Sequence, residues 1–523
     1  MAPRDDVSLL EALREDLGEK SAKDGCAPQG QCGCCTVLVD GSPRVACVTA
    51  VRRVAGRSVT TAAGLDDQVA GALVSSFCRH GASQCGFCTP GILCRLAPLG
   101  PAPDPVKVEA ALLAHLCRCT GWRTIVDAAC DQRAGEVIQA PGDGAARRAT
   151  IEGRSPQSVG PDVVMGRGGF ADDTAPPGCL VAVPDGRGGW AVGETLAAAR
   201  AESGKVQGRR SGQALVHPLE LPDGDWDFTL RTTWVEPAYL EPDSSWCEPG
   251  GHPASAVANG GAFGGKTSSI APAAARELAD RYGRAVRVVL SREDVVRLGP
   301  KRPPVAAGVR ADGTGVIRVA ASPGVAEAIA SVAFALSVEE VSVVGPAVSS
   351  RARAAGWAEA AVLLEAARAL REGRVPNAAE GPAAATATVE ARGGGWATAT
   401  VEVDSRGWPT DVRVEVGCGA VLDETTMRSY ATGAAHMALG WVCSEAIAVG
   451  EDGVPDDLTI RSFGVLRARD TPAIRVAVNE GGDRTSPGEP VNGSDAVFAT
   501  VAAAVWIAQG LPSEWPTRRG VAK

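Results

Sequence analysis

Asp24-Gly-Cys-Ala-Pro-Gln-Gly-Gln-Cys-Gly-Cys-Cys-Thr-Val-Leu-Val-Asp-Gly41 is the stretch that decides the fold. Cys26, Cys32 and Cys35 lie in a glycine-rich loop, and an apolar run from Thr36 to Val39 follows that reads as a strand. Cys47 comes next. Four thiolates delivered from so short a segment can converge on one small metal object. A loop wrapped round such an object must turn sharply without side-chain clash, which Gly25, Gly30 and Gly33 permit. Its backbone N–H groups would face the anionic sulfurs. Cys34 is the spare, since adjacent cysteines do not usually both point inward. A zinc knuckle or a disulfide knot are the rival readings.

Composition narrows the choice. The chain has 523 residues, enough for several domains with proper cores, and a net charge of −9, which does not suggest a nucleic-acid partner. Of 16 cysteines, 12 fall before residue 131. The opening Met-Ala-Pro-Arg-Asp-Asp carries no apolar signal region, and the longest nearly apolar run, Val497 to Ala508, is too short to cross a bilayer. A cytoplasmic, non-membrane protein is expected, with cysteines that bind metal rather than pair. Three cysteines in a tight loop and a fourth about a dozen residues on have the plant-type [2Fe–2S] spacing.

Outward from that loop, Leu9, Leu10, Leu13 and Leu17 have helical spacing ahead of it, while Val45–Val51 and Ser58–Thr61 should supply further strands of a β-grasp unit. A second cysteine set follows in Gln84-Cys-Gly-Phe-Cys-Thr-Pro-Gly91 and Leu116-Cys-Arg-Cys-Thr-Gly-Trp122. Between them Pro105 opens a helix with apolar positions through Leu116. The pairs Cys85/Cys88 and Cys117/Cys119 can then meet at helix ends, where the positive dipole favours an anionic cluster.

These motifs together resemble the iron–sulfur portion of the xanthine dehydrogenase and aldehyde oxidoreductase family of molybdenum hydroxylases, over residues 7 to 130. Two departures stand out. Five residues lie between the first two ligands, where the family usually has four. The family also opens with a β-hairpin, whereas this chain starts almost at the leucine-rich helix. The resemblance implies that Cys26, Cys32, Cys35 and Cys47 hold an outer [2Fe–2S] cluster. Cys85, Cys88, Cys117 and Cys119 would hold an inner one, and Gln84 would hydrogen-bond a pterin.

Residues 131 to 162 are rich in Gly, Pro, Arg and Ala and read as a linker. There is no room for the flavin domain of many family members, so FAD is not expected on this chain, and a flavin, if used, sits on another subunit or gives way to another acceptor. Beyond the linker, Gly166-Arg-Gly-Gly-Phe-Ala-Asp-Asp173 and Leu240-Glu-Pro242 resemble the start of the family's molybdenum region. Gly260-Gly-Ala-Phe-Gly-Gly-Lys266 resembles its loop beside the pterin, with Gly260, Gly261, Ala262, Phe263, Gly264 and Gly265 as implied cofactor contacts. Gly260 to Thr267 also satisfies the Walker A pattern, but the residues before it are poor strand material. Arg353, before a helix running to Leu370, sits where the family's substrate-contacting arginine often lies; a solvated arginine is the plain alternative. Residues 397–416 alternate as a hairpin, Arg428–Trp441 reads as a small-residue helix, and His436 on it as a packed histidine. Gly488-Glu489 precedes an alanine-rich helix, Asp495–Gln509, as the family's catalytic glutamate does.

The expected architecture is α+β and multidomain: a β-grasp [2Fe–2S] unit (1–62), a helical [2Fe–2S] unit (63–132), a linker (133–162), and an α/β molybdopterin-binding region in two parts (163–310 and 311–523). The implied cofactors are two [2Fe–2S] clusters and molybdopterin, as a dinucleotide. The implied reaction oxidises a small N-heterocycle (purine-like) or aldehyde with water as the oxygen source, in a homo- or hetero-oligomer. The region from residue 162 on is about half the family's usual length, so the alternative is an iron–sulfur electron-transfer subunit whose molybdopterin region is degenerate.

Overall fold

The computed structural model describes residues 7–133, 142–204, 214–255, 261–377, 381–391, 393–479 and 488–518. Ser8 caps a short helical run, Leu9–Glu11, that continues with π geometry through Asp16. Leu9, Leu10 and Leu13 are buried by it, while Leu17, just past its end, stands exposed. Thr36–Val39 forms the middle of a three-stranded antiparallel sheet between Ser42–Val45 and Val59–Thr60. All four of its residues are buried, which accounts for the unbroken apolar run.

Two expectations fail here for physical reasons. Val45–Val51 is not a strand: two 3₁₀ turns, Ala46–Val48 and Val51–Val54, replace it. The tight turn carries Cys47 back to the loop, where its N–H meets Cys35 Sγ at 3.4 Å. Nor is the stretch after residue 141 an extended linker, because Asp143–Gly153 is a helix. Its Arg148 is fully buried and donates to the carbonyls of Val421 (3.0 Å) and Val491 (2.8 Å). Charged residues that read as solvated instead serve the backbone of distant loops.

Four helices follow the first sheet: Asp67–Arg79, Thr89–Leu96, Pro105–Ala111 and Arg123–Cys130. Pro105 occupies the first turn behind an Asp104 cap, as the pattern predicts. Three four-stranded sheets build the remainder. The first is ordered Trp190–Gly193, Leu180–Pro184, Val286–Val289, Ser244–Cys247, with the helix Ala271–Tyr282 packed on it. Arg292–Leu298 forms another helix, under a Ser291 capping box. A second sheet joins Leu336–Val341, Gly315–Ala320, Val305–Val309 and Phe228–Arg231.

The third sheet contains the anticipated hairpin, Trp396–Val403 with Pro409–Gly417, flanked by Ala383–Glu390 and by Ala473–Asn479 in parallel. On it lies Ser494–Ala508, a helix whose every residue is buried. That is the environment a helix so rich in apolar residues requires. It packs against Glu424–Cys443 and Trp357–Arg371. Among the described residues no helix is long and apolar enough to cross a membrane. The architecture is the expected α+β arrangement.

Candidate electron-transfer and pterin site

The glycine loop folds its cysteines inward. Cys26, Cys32, Cys35 and Cys47 are all buried, and their thiols touch in the order 32, 26, 47, 35. Backbone N–H groups of Gln31 and Cys32 reach Cys26 Sγ at 3.4 and 3.3 Å, as a loop built around sulfide or thiolate demands. Hydrogen bonds from the Cys32 and Cys47 thiols hold Cys26 well toward thiolate, while the same contacts and burial push Cys32 and Cys47 up. Cys34 is also buried; it reaches Cys32 O at 3.9 Å and touches the Cys32 thiol, branching off the end of the series.

The second set assembles at helix ends. Cys88 is the N-cap of Thr89–Leu96, and Cys117 and Cys119 precede Arg123–Cys130. The thiols touch in the order 88, 117, 119, 85, with Cys119 Sγ 3.5 Å from Cys85 Sγ. Contacts from Cys119 and then Cys88 hold Cys117 toward thiolate. The two sets are tied directly, since Leu116 N–H donates to Cys32 O at 2.9 Å. Eight thiols in two groups of four, each group touching in series and in a dry surround, fit two [2Fe–2S] clusters.

The glycine loop of the second half reaches the inner set. Gly261 has φ +84°, and a Cβ there would lie 2.7 Å from Cys119 Sγ and 4.0 Å from Cys85 Sγ. Only glycine allows the backbone this close. Ala262 and Phe263 are buried, and Arg353 N–H donates to Phe263 O at 2.9 Å. Gly264 and Gly265 complete the turn; Gly260 lies outside the described residues. Lys266 settles the Walker A question. It is buried, bonded to Glu241 Oε2 at 2.7 Å and over the Tyr239 ring, so it is not presented to a phosphate. Burial pushes Glu241 up to about 7 despite Lys266.

Gln84 is 6% exposed, and its Nε2 donates to Cys119 O and to Ser429 Oγ, each at 3.0 Å. Its Oε1 is buried without a hydrogen-bond partner. Gln84 lines a cavity of about 420 Å³ with Gly81, Ser83, Thr426, Ser429 and Tyr430. An orphaned amide oxygen facing a polar cavity beside the inner cysteines fits a hydrogen-bonding heterocycle such as a pterin. Ser429 and Tyr430, on the long helix Glu424–Cys443, escaped the sequence reading; two polar side chains within a small-residue helix were the available signal.

Arg353 and Glu489 are not brought together. Arg353 is 5% exposed, in left-handed backbone (φ 46°), and stacked on Phe263 at 4.2 Å. One Nη donates to Ser494 O at 3.1 Å, whereas Nε and the other Nη have no hydrogen-bond partner. Burial lowers its pKa to about 10. It lines a small void of about 30 Å³ with Arg118, Arg302, Glu236 and Glu445. Glu489 does not line that void. Its side chain is 91% exposed and 3.9 Å from Arg147. The reason is in the backbone: Glu489 O abuts Gly419, where a Cβ would stand 2.2 Å away, so the peptide faces inward and the carboxylate outward. The structure therefore does not bring Glu489 into a buried site with Arg353. His436 is buried and 3.1 Å from Leu466 O, a packed histidine.

Two cysteine quartets, buried but for the half-buried Cys85 and set in a helical and β framework, define an iron–sulfur oxidoreductase. Residues 61–130 match the family described as [2Fe-2S] binding domain. The nicotine 6-hydroxylase small subunit of Paenarthrobacter nicotinovorans is 42% identical over 138 residues, 26% of this chain and 78% of that protein. The nicotinate dehydrogenase small FeS subunit of Eubacterium barkeri is 41% identical over 118 residues, 22% of this chain and 74% of that protein. The fold is similar to that of the aldehyde oxidoreductase from Desulfovibrio desulfuricans, with a TM-score of 0.73 at 15% identity, covering 99% of this chain and 98% of that one. The chain belongs to the xanthine dehydrogenase and aldehyde oxidoreductase family of molybdenum hydroxylases.

Proposed function

We propose that this oxidoreductase is a molybdenum hydroxylase that oxidises a small N-heterocycle or aldehyde and sends the electrons out through its two cysteine quartets. The observation that carries the reading is the close approach of Gly261 to Cys119 and Cys85, together with the orphaned oxygen of Gln84, which adjoins Cys85 and lines a cavity of about 420 Å³. Cys85, Cys88, Cys117 and Cys119 would hold the inner [2Fe–2S] cluster, and Cys26, Cys32, Cys35 and Cys47 the outer one. Gln84 and the Gly261–Gly265 loop would hold the pterin, in dinucleotide form. The molybdenum centre, when bound, supplies two-electron oxidation of a substrate carbon. Arg353, whose Nε lies 3.8 Å from Asp495 Oδ1 and whose second Nη has no hydrogen-bond partner, would orient substrate by donating to its acceptor atoms. Glu489, if it is the base, must turn inward from its exposed position to take a proton. The final electron acceptor is a separate flavin subunit or another carrier, and the location is cytoplasmic.

The exposure of Glu489 favours a second reading, an electron-transfer subunit without turnover of its own. Metal analysis of anaerobically purified protein separates the two. The hydroxylase requires about four irons, the content of two [2Fe–2S] clusters, together with about one molybdenum per chain. It also requires that Glu489→Gln abolish turnover with the clusters intact. Full iron without molybdenum, from a host that makes the cofactor, would leave the electron carrier.

A further inference from the structure

Arg118 lies between two inner cysteines, Cys117 and Cys119, and is the only one of the four residues from Cys117 to Thr120 with a charged side chain. It is 4% exposed, and its charge is fully engaged away from solvent. Its Nε donates to Pro237 O at 3.0 Å. Its two Nη groups grip Glu445 in a bidentate pair at 2.5 and 2.8 Å. Glu445, 2% exposed, sits just past the helix Glu424–Cys443 and folds back under it. Gly440 makes room for this: a Cβ there would meet Glu445 Oε1 at 2.2 Å, and Glu445 N–H donates to Gly440 O at 2.7 Å. Both members of the pair line the same void as Arg353.

We infer that the Arg118–Glu445 pair sets the reduction potential of the inner cluster, an inference that rests on the assignment of Cys85, Cys88, Cys117 and Cys119 as its ligands. The positive end of the pair is carried on the ligand loop, and the negative end comes from the turn just past the helix Glu424–Cys443. A [2Fe–2S] cluster gains one negative charge on reduction. In a dry surround the guanidinium stabilises that charge, and the carboxylate opposes it. A buried ion pair contributes little net stability compared with an apolar pair of similar size, so a purely structural tie does not call for one. Arg118 and Glu445 act through the cysteines and are positioning residues.

The test is an EPR-monitored redox titration of the full iron-loaded chain, with the inner signal identified as the one lost in Cys88→Ser. Glu445→Gln should raise the inner midpoint, because it leaves the guanidinium uncompensated. Arg118→Gln should lower it, and Arg118→Lys should hold it near the wild-type value. The double variant Arg118→Gln/Glu445→Gln, which keeps the charge balanced and guards against misfolding of the single variants, should fall between the two. The outer midpoint should not move. Unmoved inner midpoints with intact signals, or shifts of the same sign in both single variants, overturn the inference. So does loss of the signal in the single variants with an unshifted double variant. A wild-type chain that shows no iron–sulfur signal overturns the cluster assignment instead, and the inference falls with it.

Discussion

Gly261 shows how much one residue can carry. The added Cβ of Gly261→Ala would stand 2.7 Å from Cys119 Sγ in a left-handed backbone that alanine resists. The variant should lose about half its iron, one of two clusters, with the outer EPR signal retained. Full iron in that variant would show that the loop can retreat from the cysteines. Glu241 makes a pH prediction. Its carboxyl, buried beside Lys266 with Asp243 and Asp173 nearby, is pushed up to about 7 from an ordinary 4.5. A raised pKa means that the protonated form is favoured in the fold. Its contribution is therefore present below about pH 4.5 and lost as pH rises toward 7, by an amount on the order of 3 kcal/mol. Glu241→Gln should flatten stability against pH in that window, as read by urea denaturation. At this scale the cysteines were legible because a ligand motif is local. The direction of Glu489 was not, because it is decided by how its carbonyl packs on Gly419, some seventy residues away in sequence.

Among the elements, the helix Asp143–Gly153 is the instructive case. Its Glu152 accepts the N–H groups of Gly493 (3.2 Å) and Ser494 (2.8 Å) and pairs with Arg148 at 2.9 Å, all out of solvent. Glu152→Gln leaves Arg148 buried without its counter-charge. That should cost roughly 3–5 kcal/mol, measured as a fall in the urea midpoint, because breaking one side of a buried pair is far worse than lacking the pair. A loss under about 1 kcal/mol would mean that water reaches the site. Composition hid this helix, since Gly, Ala and Arg signal a linker as readily as a helix. The hairpin at Trp396–Gly417 and the terminal helix Ser494–Ala508 were readable, because alternation and unbroken apolarity report burial directly. The neighbouring strand Ala383–Glu390 was not anticipated: its alanines and threonines alternate too weakly in hydropathy to stand out.

The whole molecule closes round its cysteines. One continuous core holds Cys26, Cys32, Cys88, Cys117 and Cys119 together with Trp234, Ile447, Leu458, Ile460 and Phe463 from far along the chain. Gln29 bonds Glu293 and Leu458 O, and Arg461 donates to Gln31 O and Leu113 O. The cysteine-bearing first quarter of the chain is thus not an independent unit clipped to the rest. Removal of iron should raise hydrogen exchange across 445–463 as well as in the cysteine loops, and lower the melting temperature of the entire chain. Exchange confined to residues before 133 would mean that the core does not transmit the loss. Sequence could place each motif in order along the chain, but not this shared core, since its members are linked only through the folded backbone.

The bond from Arg118 to Glu445 joins residues 327 positions apart. During synthesis the cysteines emerge long before the helix and loop that will cover them. Iron delivery is therefore a matter of timing. Clusters can enter while the latter half of the chain is still unmade or open, and a chain that closes first seals its thiols behind buried side chains. Slow translation of the later segments, or a chaperone that delays their folding, would widen that interval, and iron scarcity would leave protein that is folded, soluble to assay and permanently empty.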